Sequence, residues 1–142
     1  MKKKILIVEE SKAIRFLLQT IFGKKYEVIT VGDGCTAIHW LSRKVLPDVI
    51  IAAPQLPDMK NWELIEYLKS GGLYSDIPLI TLSSLDKLET QLICDEMGIE
   101  NYFTKPFNPL DLQHTVDRLI AIKDDSASLG SRRQLVQFIE VG

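Results

Sequence analysis

The chain has 142 residues, 46% of them hydrophobic and 25% charged, enough for one domain with a real core and little beside it. A net charge of −2 and a pI near 5.7 give no reason to expect the basic surface that nucleic-acid binding needs. With no apolar run near the roughly 18 residues that cross a bilayer, and no signal-peptide pattern at the N-terminus, a cytoplasmic protein without membrane contact is expected.

Lys2, Lys3 and Lys4 lead into a short apolar strand, KILIV over residues 4–8, which ends at Glu9 and Glu10. Ser11 is placed to cap a helix, and Ile14, Leu17, Leu18 and Ile21 recur at spacings of three and four, which predicts an amphipathic helix stopping at Gly23. A second strand spans residues 26–31. Asp33 and Gly34 turn the chain into a helix that runs to about Lys44, with Ala37, Trp40 and Leu41 facing inward. Residues 47–58, PDVIIAAPQLPD, hold the third strand. Val49, Ile50, Ile51, Ala52 and Ala53 are apolar without interruption, as in a strand covered on both faces, and Pro54 and Pro57 end it. A helix over 61–70 follows, built on Leu64 and Leu68 and closed by Gly71 and Gly72. The fourth strand is IPLITLS, residues 77–83. A helix from Leu85 to Met97 ends at Gly98, a short strand covers 102–104, and Lys105-Pro106-Phe107 lead to a helix with Leu112, Val116, Leu119 and Ile120 on one face.

Five strands alternating with five helices mean a parallel sheet wrapped on both sides. The number of units predicts a flavodoxin-like doubly wound (βα)5 sandwich, an α/β fold with strand order 2-1-3-4-5. Neither GxGxxG nor GxxxxGK[ST] occurs, which argues against a phosphate-cradling loop. From Asp124 the composition shifts to DDSASLG, read as a linker. The expected division is therefore a domain over 1–123, with linker and a short, possibly helical tail over 124–142. That tail would gather Leu135, Val136, Phe138 and Ile139 on one side and, marginal alone, would pack on the domain, pack on a second copy, or stay mobile. Cys35 and Cys94 lack CxxC spacing and are expected as small semi-buried thiols; His39 and His114 are isolated on different helices.

Such a fold brings strand ends together, and here they carry Glu9 and Glu10, Ala53, Ser83 and Lys105. Their order and spacing over about residues 3–121 resemble the receiver domains of bacterial response regulators, the CheY-like family. In that family the third strand usually reads PDLILLD, and its last aspartate accepts a phosphoryl group from a histidine kinase. An acidic pair holds magnesium, a hydroxyl residue binds the arriving phosphoryl group and a lysine neutralises it. The resemblance places Glu9, Glu10 and Gln55 at the magnesium positions, Ala53 at the phosphoacceptor, Ser83 at the hydroxyl and Lys105 at the lysine, with Tyr102 as the switch aromatic. Asn61 stands where the family usually has glycine, and Lys105-Pro106 looks like the family's cis bond.

An acyl phosphate forms when a carboxylate attacks phosphorus, and the methyl group of Ala53 cannot attack. Magnesium insists on near-octahedral oxygen ligands, so its binding is expected to be weak or absent. Glu9 and Glu10 against Lys105 leave a charge of −1, and a Lys105–Glu10 ion pair is expected. The implied protein is a pseudo-receiver: no enzyme and no metal, but a two-component (phosphorelay) signalling module with a degenerate pocket. It would act by contact with a signalling protein or a second copy of itself. The contact surface implied is the helix from Leu85 to Met97, Tyr102, and the helix from Leu110 to Lys123. Tyr102 reads equally as a switch and as a half-buried strand aromatic. Two alternatives stand beside this one: phosphorylation at Asp58, Glu10 or Ser83, and a small-molecule sensor using the vacated acidic pocket. A DNA-binding regulator is disfavoured because no output domain follows residue 123.

Overall fold

The computed structural model describes the backbone of residues 2–141 and the side chains of residues 2–125. In chain order the elements are β1 (Lys4–Val8), α1 (Lys12–Phe22), β2 (Glu27–Val31), α2 (Gly34–Leu41), β3 (Val49–Ala52), α3 (Glu63–Lys69), β4 (Leu79–Ser83), α4 (Lys87–Met97), β5 (Asn101–Thr104) and α5 (Pro109–Val141). All strands pair in parallel in the order β2-β1-β3-β4-β5, the flavodoxin-like arrangement the alternation predicts.

Strand alternation divides the core in two. Ile5, Ile7, Val49, Ile51, Ile80 and Leu82 point to the face covered by α1 and α5, through Leu18, Phe22, Leu112, Val116 and Ile120. Leu6, Val8, Ile50 and Ala52 point to the face covered by α2, α3 and α4, through Ala37, Leu41, Leu64, Ile65, Leu68 and Cys94. A sheet sealed on both faces exposes chemistry only at its ends, and its C-terminal end carries the residues singled out above.

Local chemistry accounts for most element boundaries. The Ser11 hydroxyl accepts from the Ile14 N–H at 3.2 Å and starts α1, and Asp86 accepts from the Glu89 N–H at 2.8 Å and starts α4. Gly98, at φ 73°, ends α4 in the left-handed conformation that glycine adopts without a side-chain clash. The Lys105–Pro106 bond is cis, as the resemblance implies.

Several expectations need correction. Leu17 is exposed; Phe22, one turn beyond Leu18, takes its place in the core, so α1 is rotated from the predicted face. Cys35 is exposed and Cys94 fully buried, so neither is semi-buried. Helix α3 begins at Glu63 because Trp62 holds a left-handed backbone (φ 69°), its N–H bonded to the Pro54 carbonyl at 2.8 Å and its indole buried. A left-handed non-glycine residue is costly and persists only where its surroundings hold it. The linker expected from Asp124 is helical instead, since α5 continues to Val141. That stretch contains no proline, and its one glycine, Gly130, costs a helix only about 1 kcal/mol. The side chains of Leu135, Val136, Phe138 and Ile139 lie outside the described residues.

Candidate functional site

Three backbone hydrogen bonds fasten the strand ends to one another: Glu9 N–H to Val31 O at 3.0 Å, Ala53 N–H to Val8 O at 2.8 Å, and Lys105 N–H to Ser83 O at 2.9 Å. They extend the parallel ladder by one residue and bring Glu9, Ala53, Ser83 and Lys105 to a common edge. Above that edge lies a pocket of about 510 Å3 lined by Glu9, Glu10, Ser11, Ile14, Gln55, Ser84 and Lys105. Ala53 and Ser83 are fully buried beneath it.

The expected Lys105–Glu10 pair does not form; Lys105 pairs with Glu9. Alternation along β1 gives the reason. Glu9 follows Ile5 and Ile7 on the α1/α5 face, toward the loop that leads into α5, whereas Glu10 turns out to solvent. The Glu9 side chain is 2% exposed and that of Lys105 20%, and the second Glu9 carboxylate oxygen accepts the Ser11 N–H at 2.7 Å. One oxygen of the buried carboxylate is therefore hydrogen-bonded to the backbone, and the other is held by the ion pair alone.

Ser83 turns away from the pocket. Its Oγ accepts from Thr90 Oγ1 at 2.9 Å and from the Leu85 N–H at 3.1 Å, which ties the end of β4 to α4. Tyr102 is half-buried on β5 opposite Thr81 and packs against the α2/α3/α4 core.

Asp58 lies outside the pocket. Its two carboxylate oxygens accept the N–H groups of Gly34 at 2.9 Å and Cys35 at 2.8 Å, while Asp33 accepts that of Thr36 at 2.7 Å. Together with the Ala37 N–H, bonded to the Asp33 carbonyl at 3.3 Å, this satisfies the first turn of α2. The backbone bonds from Gly34 and Cys35 hold the Asp58 carboxyl down at about 2. The Cys35 thiol, beside that carboxylate, is pushed up.

Two participants, Arg15 and Thr90, escape sequence reasoning, and Gln55, placed there as a magnesium position, takes a different part. Arg15 donates through Nη1 to the carbonyls of Glu9 at 2.7 Å and Glu10 at 2.8 Å, bracing the loop that carries both acids. A side chain at Gly32 would come within 2.9 Å of that guanidinium. Gln55 accepts the Ser84 N–H through Oε1 at 3.1 Å, and Thr90 holds Ser83. Periodicity carries no signal for Arg15 or Gln55, since both act through contacts between loops. Among the described residues no group of three or more His, Cys, Asp or Glu side chains could hold a metal ion, and no helix is long and apolar enough to cross a membrane.

Residues 5–117 match the response regulator receiver domain family. The chain belongs to this family. It is 34% identical over 113 residues to the transcriptional regulatory protein KdpE of Staphylococcus aureus, covering 80% of this chain and 48% of that one. It is 29% identical over 131 residues to the "Probable transcriptional regulator ycf27" of Guillardia theta, covering 92% of this chain and 50% of the other. The chain therefore spans about half the length of these curated relatives. Among solved structures, the chemotaxis response regulator CheY4 of Vibrio cholerae superposes with a TM-score of 0.73 at 28% identity, over 84% of this chain and 99% of that one. The chain thus carries a receiver domain of the two-component signalling type.

Proposed function

We propose that this receiver domain takes no phosphoryl group at residue 53 and acts by protein–protein contact, as an adaptor or dimerisation module rather than an enzyme. The observation that carries the reading is Ala53 at the end of β3, a methyl group where the family's nucleophile is expected. The surrounding charges support it, because the Lys105 ammonium is already spent on Glu9. Magnesium, which the family resemblance implies, does not fit the donors present. Glu9 is held by the Lys105 ion pair and the Ser11 N–H, Glu10 faces solvent, the Gln55 side-chain oxygen accepts the Ser84 N–H, and the side chain of residue 53 has no oxygen, so the side-chain donors for a near-octahedral oxygen cage are not in place.

The contact surface in this reading is α4, Tyr102 on β5, and α5 as far as Lys123. Leu88 (66% exposed) and Leu92 (60%) lie one turn apart on α4, and Leu110 (62%) lies at the start of α5. The partner is a signalling protein or a second copy of the chain.

Phosphorylation at Asp58 is disfavoured because both its oxygens cap α2, and at Ser83 because its hydroxyl is buried against Thr90. The deciding experiment is incubation with acetyl phosphate and magnesium followed by intact-mass spectrometry, on the natural chain and on Ala53→Asp. The natural chain should gain no phosphoryl mass. A stable gain on any of its carboxylates overturns the reading, and labelling of Ala53→Asp alone assigns the silence to residue 53. Thermal shift against anionic metabolites tests the sensor alternative, for which a ligand at one hundred times its Kd would add about 2.7 kcal/mol.

A further inference from the structure

Gln55 stands two residues past Ala53, in the loop between β3 and α3, and its side chain reaches the loop between β4 and α4. Oε1 accepts the Ser84 N–H at 3.1 Å, next to the Ser83 hydroxyl that receives Thr90 and the Leu85 N–H. On the other side of the same loop, Asp58 is bonded to the start of α2. The β3–α3 loop is therefore fastened at two points, and Gln55 is the one directed at α4. The amide is also only half satisfied, since Nε2 is buried with no partner. A buried unpaired donor destabilises the arrangement that holds it. The closed arrangement thus combines one hydrogen bond with one unpaired donor, so it is held less firmly than the Asp58 attachment, whose two oxygens both accept N–H groups.

We propose that Gln55 is an intramolecular latch. It holds the β3–α3 and β4–α4 loops together without a phosphoryl group and keeps Ser83, Ser84 and Leu85 in the arrangement from which α4 starts. The inference rests on the reading that residue 53 is not phosphorylated, and it assigns to Gln55 the control of the α4 surface that partners would meet. Releasing the latch removes the acceptor of the Ser84 N–H and loosens the segment that positions Ser83 against Thr90. A partner that prefers the released α4 would shift the equilibrium by its differential affinity for the two forms.

Amide hydrogen exchange on the natural, unphosphorylated chain tests this residue by residue. In Gln55→Ala the Ser84 amide should exchange about tenfold faster, the size of one lost hydrogen bond, and the Leu85 amide several-fold faster. The Gly34 and Cys35 amides, held by Asp58 in the same loop, should be unchanged. Gln55→Glu, which keeps an acceptor oxygen at the same reach, should retain protection at Ser84 near pH 7. Unchanged exchange at Ser84 and Leu85 in Gln55→Ala overturns the latch, and so does equal acceleration at Gly34 and Cys35, the mark of general loosening. Because no phosphodonor is present, a failure here leaves the mass assay untouched. Labelling of the natural chain in that assay would refute the functional reading without altering the exchange result.

Discussion

A carboxylate as buried as Glu9 is tolerated only with partners, and its two oxygens have one each: the Lys105 ammonium and the Ser11 N–H. Lys105→Met removes the cation and leaves the charge, which should destabilise the fold by about 2–4 kcal/mol once the partial exposure of Lys105 is discounted. Adding Glu9→Gln to that variant removes the stranded charge and should restore most of the loss, a non-additivity that urea denaturation of the two single variants and the double variant reads directly. Near-additive losses would show that the pair has no structural part. The pair also marks how far the site was legible. Position in the sequence identified the strand ends that converge, because topology fixes them. It did not identify which of two adjacent acids faces Lys105, since that depends on whether strand alternation persists one residue beyond β1. Glu9 keeps the alternation through its bond to the Val31 carbonyl, and Glu10 is free of it.

Helix α2 shows that an acid read as candidate chemistry can be a structural cap. Asp58 bonds two of the four N–H groups that an eight-residue helix leaves open at its start, and the helix N-terminus favours the negative charge. Its carboxyl sits at about 2 in the folded chain against about 3.9 for an unfolded aspartate. A folded value below the unfolded one means that the charge stabilises the fold above the unfolded pKa. That contribution is complete above about pH 5 and is lost as pH falls through about 4 toward 2. Asp58→Asn should therefore lower stability by about 1 kcal/mol at neutral pH, the usual worth of a cap, and the difference from the natural chain should close by pH 2. Thermal melts across that range check it, and a gap of constant size would assign the effect to shape rather than charge. Elements defined by periodic or unbroken apolar runs, β1, β3 and the first half of α5, were legible in the sequence because their burial follows one strong pattern. Asp58 was not, because its partners Gly34 and Cys35 lie 24 and 23 residues away and only the folded loop brings them together. The start of α3 was missed for a related reason: the left-handed backbone of Trp62 depends on the core that buries its indole.

At the scale of the whole molecule the two ends of the sheet are used differently. The C-terminal end of the strands carries the pocket. At the opposite end, ion pairs clasp α5 to the strands and loops: Lys123 to Asp48 at 3.1 Å, Lys3 to Asp124 at 2.9 Å and Lys25 to Asp117 at 3.3 Å. Tyr26 also donates its hydroxyl to Asp117, and burial together with that carboxylate raises the phenol well above its ordinary range. Among the described residues, the last tie between α5 and the strands is at Asp124 and the last buried apolar residue of the helix is Ile120. Exposed pairs of this kind contribute little individually, so the stability of the domain rests on the two apolar layers that end there. A chain ending at residue 125 keeps both layers and every ion pair named above. It should unfold within about 2 °C of the full chain, since 1 kcal/mol corresponds to about 4 °C for a domain of this size. A fall larger than that would show that residues 126–142 pack onto the domain and that the boundary lies beyond α5's last contact with the sheet. An unchanged midpoint would make the continuation of α5 an extension that the fold does not need, leaving it available for contacts outside the domain.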